Sequence, residues 1–140
     1  QVWLRARSEL PTPRVALGEA LRGIASACID VSDGLLADLP RLAQASGCGA
    51  ELQLERLPLS AVAQARGGES AWQQALAGGE DYELCFAAPP ARAAQIAAVA
   101  ARLAVPLSCC GRLRGAPGLE LRRHGAVIGF SQLPFDHFAI

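Results

Sequence analysis

Residues 25 to 46 constrain this chain more than any other stretch. ASACIDV is apolar on alternate and intervening positions alike until Asp30, so it reads as a strand covered on both faces. After VSDG, the residues Leu35, Leu39, Leu42, Ala43 and Ser46 fall on one stripe of a helix, and SGCG stops it. A strand feeding directly into an amphipathic helix restricts the fold to layered strand-and-helix architectures. Pro40 sits inside the expected helix, where it removes one backbone hydrogen bond. It either kinks the helix or marks a later start with Asp38 as the cap.

The rest of the chain extends this pattern. VALGEALRGI reads as a short helix, AELQLERL as a strand with one wetter face, and residues 60–77 as one or two short helices broken at Gly67 and Gly68. DYELCFAA is a strand. The segment from Pro90 to Leu103 is a helix whose polar residues Arg92, Gln95 and Arg102 form a narrow stripe, so most of its surface should be covered. LSCCGRL is a further strand, and LELRRHGAVIGF a hairpin turning at His124 and Gly125. The expected fold class is α+β, a mixed β-sheet covered by α-helices.

Composition excludes several functions. Thirteen basic and thirteen acidic residues give no net charge and the arginines are scattered, which argues against a nucleic-acid or anionic-membrane partner. No run approaches the roughly 20 apolar residues of a membrane-spanning helix. All thirteen basic residues are arginine, so mechanisms that need a lysine Schiff base or a phosphate-loop lysine are closed to this chain. The five cysteines make an odd count without CxxC or zinc-like spacing, as expected of free thiols in a cytoplasmic protein. There is no methionine, and the opening WLRARSELPTPR has two prolines. Residues 1–12 are therefore expected to be a linker from a missing amino-terminal domain, and residues 13–140 the domain proper.

Two acidic motifs carry the chemistry. Asp30 closes an otherwise apolar strand, which costs free energy unless the carboxylate is solvated or paired, and no arginine nearby in sequence offers a partner. A magnesium ion suits it, being held by one or two carboxylates while taking other ligands from water and phosphate. The adjacent helix start would favour phosphate. The plainer alternative is that Ser32 or Asp33 simply caps the helix, worth about 1 kcal/mol. The second motif is GGEDYEL, where two glycines precede Glu80 and Asp81. Taken by itself, it also reads as a common surface turn before a strand. GxSxG, HExxH and GxGxxG are all absent, and His124 and His137 have no metal partner at helical spacing.

Taken together, IDVSDGLLADL, ASGCGAEL, LPLS, GGEDYELCF and the terminal FDHF resemble the carboxyl-terminal half of the thiamine-monophosphate kinase family. DVSDG alone would indicate only the wider superfamily that includes aminoimidazole ribonucleotide synthetase. The resemblance implies an aminoimidazole ribonucleotide synthetase C-terminal-domain-like fold and a magnesium-dependent transfer of the γ-phosphate of ATP onto thiamine monophosphate. It also implies a longer chain that dimerises mainly through an amino-terminal domain holding most nucleotide and metal ligands. By motif, Asp30 and Asp33 would be magnesium ligands, Ser32 would contact the nucleotide phosphates, Glu80 would hold the thiamine portion, and Phe135 would pack against its rings. On this basis the 140 residues are expected to fold without catalysing. The alternatives are a superfamily relative with another acceptor, or a non-catalytic domain that binds nucleotide or a partner.

Overall fold

A computed structural model of the chain describes residues 10–66, 68–80 and 82–129. In chain order these form α1 (Val15–Ala20), β1 (Ala27–Val31), α2 (Leu35–Ala45), β2 (Gly49–Gln53), α3 (Ala61–Arg66), α4 (Gly68–Ala77), β3 (Glu83–Ala87), α5 (Ala93–Leu103), β4 (Gly111–Arg114), β5 (Leu119–Arg123) and β6 (Ala126–Ile128). The fold is α+β. A four-stranded mixed sheet runs β4-β2-β5-β6, with β2 parallel to β5 and antiparallel to β4, and β5 antiparallel to β6. The β5–β6 hairpin turns at His124 and Gly125, both left-handed at φ 49° and 83°, as a two-residue turn matched to strand twist requires.

A second ladder joins β1 to β3, antiparallel, with Asp30 opposite Leu84. Helix α2 packs against β1, β2 and α4 and so ties the two ladders together. Its apolar stripe supplies Leu39 and Ala43 to a core completed by Leu52 and Leu121 from the sheet and by Leu54 and Leu76. Leu76 is fully buried, a burial that stabilises by roughly 1.5–3 kcal/mol. A smaller core of Leu17, Leu21 and Val99 lies between α1 and α5. The Arg14 guanidinium forks onto both carboxylate oxygens of Glu83, each at 2.7 Å, and pins the start of α1 to β3.

Four expectations are corrected. Strand β1 is not covered on both faces: among the described residues it pairs only with β3, and Cys28 and Asp30, on the face opposite the buried Val31, are exposed. Strand β2 has no wetter face, since it lies between β4 and β5 and even Glu51 is only 4% exposed. Its charge is met by Arg112 at 2.8 Å and Arg122 at 3.2 Å from the flanking strands. Helix α5 is largely exposed and buries only Val99, because alanines present little apolar area to any partner. Finally, the last strand of the LSCCGRL segment begins only at Gly111, and Cys109 and Cys110 precede it as free thiols.

Candidate functional site

The two acidic motifs, remote in sequence, meet at their backbones. The chain leaves β1 at Val31, turns through Ser32 and Asp33, and enters α2 after Gly34. The GGED turn lies directly against this loop. The Glu80 N–H donates to the carbonyl of Ser32 at 2.8 Å, and the Tyr82 N–H to the carbonyl of Val31 at 3.0 Å.

Glycine is required on both sides of the junction. A Cβ on Gly34, whose φ is +96°, would stand 2.8 Å from the carbonyl oxygen of Leu76. One on Gly79 would stand 2.6 Å from the carbonyl oxygen of Ser32. Glu80 and Tyr82 also adopt left-handed backbone conformations, at φ 67° and 49°. Such non-glycine residues cost about 1–3 kcal/mol each and persist where surrounding structure dictates them.

Neither Ser32 nor Asp33 caps α2. Its N-cap is Gly34, which has no side chain to do so, and the loop is organised instead from within the helix. Asp38 is 1% exposed. Its Oδ2 accepts the N–H of Ser32 at 3.0 Å and that of Asp33 at 2.9 Å, while its Oδ1 accepts Arg41 Nη1 at 2.8 Å. Asp38 is therefore not the cap of a later-starting helix; α2 begins at Leu35 and runs through Pro40. Arg41 Nη1 also reaches Asp33 Oδ2 at 2.6 Å, and the Ser32 hydroxyl donates to Asp33 Oδ1 at 3.2 Å. The two carboxylates, Asp33 first, hold the Arg41 guanidinium above its ordinary pKa.

Asp30 is exposed at the end of β1, and among the described residues no ion pair reaches its carboxylate. Ser32 and Asp33 are half-buried and Glu80 is exposed. The loop and the turn thus bring Ser32, Asp33 and Glu80 into one neighbourhood, with Asp30 two residues ahead on the strand. Asp81 and Phe135 lie outside the described residues. The sequence reading gave Asp38 only as a possible helix cap and missed its pairing with Arg41. Their spacing of three on a helix was available as a signal, but Pro40 between them obscured it.

Among the described residues no three His, Cys, Asp or Glu side chains cluster as a self-sufficient metal site. Carboxylates near the end of β1 and in the loop that follows it still suit magnesium, which needs few protein ligands when phosphate and water complete its shell. The site is open rather than enclosed. Two depressions of the described surface, about 550 and 490 Å³, lie elsewhere, at the Cys48–Pro117 edge and beside β6. The chemistry points to the acidic junction and not to these hollows.

The fold and the junction define a family. Residues 6–124 match the model of AIR synthase related protein, C-terminal domain, and the chain belongs to that family. Within it, the chain is similar to the thiamine-monophosphate kinases. It is 42% identical over 139 residues to the thiamine-monophosphate kinase of Salmonella typhimurium, spanning 98% of this chain and 43% of the relative. The crystal structure of the thiamine-monophosphate kinase from Stenotrophomonas maltophilia K279a superposes with a TM-score of 0.79 at 41% identity, over 90% of this chain and 40% of that one. A structure of AaThiL complexed with AMPPCP and TMP superposes at 0.77 with 31% identity, over 98% and 41%. The chain thus spans less than half the length of the relatives it matches. The resemblance read from the motifs is borne out, as is the α+β fold class.

Proposed function

We propose that this chain forms the carboxyl-terminal half of a thiamine-monophosphate kinase, which transfers the γ-phosphate of ATP to thiamine monophosphate with magnesium and yields thiamine diphosphate. The observation that carries the reading is the backbone junction between the Ser32 loop and the Glu80 turn. It brings Ser32, Asp33 and Glu80 into one neighbourhood, and the similarity of the chain to a protein solved with AMPPCP and TMP supports the reading.

Phosphate attacking phosphate gathers negative charge, and the catalyst's work is positioning and charge neutralisation rather than supplying a nucleophile. Magnesium, when bound, supplies that neutralisation. Asp30 and Asp33 hold the cation, with Asp30 presented to solvent and Asp33 set by the Asp38-anchored loop. The Ser32 hydroxyl, next to the start of α2, contacts nucleotide phosphate. Glu80, held in a left-handed conformation at the junction, would hold the thiamine portion, and by motif Phe135, which lies outside the described residues, would pack on its rings. The exposure of Asp30 and Glu80 leaves room for further ligands from the rest of a longer chain. The longer chain works as a cytoplasmic homodimer on small phosphorylated substrates, without nucleic acid. Zero net charge and free thiols support this setting.

The test is thiamine diphosphate formation from thiamine monophosphate, ATP and magnesium by the natural full-length chain, beside the isolated 140 residues. Product from the former and none from the latter is expected. A folded full-length chain that makes no product, but phosphorylates another acceptor in a substrate panel, would move the assignment elsewhere in the superfamily.

A further inference from the structure

One guanidinium nitrogen serves two carboxylates at this junction. Arg41 Nη1 lies 2.6 Å from Asp33 Oδ2 and 2.8 Å from Asp38 Oδ1. The three side chains differ in their freedom. The Asp38 side chain is buried and its other oxygen is committed to two backbone N–H groups, so it is fixed. Asp33 is 20% exposed and takes the Ser32 hydroxyl on its second oxygen. Arg41 is 58% exposed, and water is available to it wherever it swings.

We infer that Arg41 is an internal counter-ion for Asp33, which a divalent cation must displace from Asp33 Oδ2 in order to bind. The inference rests on the reading of Asp33 as a cation ligand. Without the cation, the arginine offsets the repulsion between Asp33 and Asp38 and keeps the loop in its binding shape, so little is left to order on binding. When the cation arrives, Arg41 gives up Asp33 and keeps Asp38. Its positive charge next to the ligand lowers cation affinity, and the same contact keeps the empty loop from rearranging. Arg41 is thus a positioning residue that sets the cation requirement.

The probe is Mn²⁺ alone, measured by electron paramagnetic resonance on the natural full-length protein. Arg41→Gln is expected to tighten Mn²⁺ binding about two- to fivefold, the worth of one exposed ion pair. Arg41→Lys, which keeps the charge, should stay near the parent, and in an Asp33→Asn background Arg41→Gln should change nothing. Equal or weaker binding in Arg41→Gln, or the same gain without Asp33, would overturn the counter-ion role alone. A parent that binds no Mn²⁺ would overturn the cation reading of Asp33 and this inference with it. Should Arg41→Gln not fold, the guanidinium NMR signal of Arg41 in the parent decides: it is expected to shift on adding Mg²⁺, and a signal that does not move contradicts displacement.

Discussion

The N–H of Glu80 donates to the carbonyl of Ser32 at 2.8 Å, and this bond joins the start of α2 to the turn entering β3. Two motifs that share no element of secondary structure become one surface through it. The close approach exists only because Gly79 has no side chain at the point of contact.

Gly79→Ala should therefore open the junction. Its Cβ would meet the Ser32 carbonyl oxygen, a backbone atom that cannot swing aside, at 2.6 Å. A loss of about 1–3 kcal/mol is expected, the usual cost of overpacking. Amide exchange at Glu80 should accelerate by more than exchange in β2, which is remote from the junction. Uniform acceleration across both would mean the contact is not local.

Asp38 organises the loop through its carboxylate oxygens. Asp38→Ala leaves the N–H groups of Ser32 and Asp33 without their acceptor and should cost about 3 kcal/mol. Asp38→Asn keeps an acceptor oxygen and should cost about 1 kcal/mol. Urea midpoints of the two variants measure the difference, and equal losses would assign the effect to charge instead.

Acid should weaken the sheet. Arg112 above all holds the Glu51 carboxyl below its ordinary 4.5, and Arg114 does the same for Glu120. A carboxyl depressed in the folded state contributes stability that is fully present above its unfolded pKa and is lost as pH falls through the folded one. The unfolding midpoint should thus fall as pH drops below about 4.5, and Glu51→Gln should flatten that acid limb. An unchanged acid limb in Glu51→Gln would remove Glu51 from the cause.

The thiols should separate by rate. Burial chiefly pushes the Cys85 thiol up from 9.0 to about 11, whereas Cys109 is exposed. At pH 8 the thiolate fraction of Cys85 falls roughly a hundredfold below that of an ordinary thiol, and alkylation should slow accordingly. Mass spectrometry after brief iodoacetamide treatment should find Cys109 modified well before Cys85. Equal labelling would contradict the burial of Cys85.

Much of this fold was legible because its signals are local. The leucine stripe of α2, the break between α3 and α4, and the His124–Gly125 turn each follow from residues within one or two turns of chain. What escaped depends on neighbours distant in sequence. Glu51 looked like a residue of a wet face until Arg112 and Arg122 arrived from adjacent strands. The apolar run of β1 looked doubly covered, but the face that carries Cys28 and Asp30 is exposed. In the site, the acidic residues were visible as an anomaly. The Ser32–Glu80 junction was not, since no pattern in one chain announces a backbone contact between two turns.

The central claim is that Asp30 and Asp33 present a cation beside this junction. The most direct measurement is a magnesium titration of thiamine diphosphate formation by the natural full-length protein and its Asp30→Asn variant, with ligand-free thermal unfolding recorded for both. The expected result is a half-maximal magnesium concentration raised by about tenfold or more, lower turnover, and an unchanged unfolding midpoint. An Asp30→Asn protein with the parent's magnesium curve would contradict the claim.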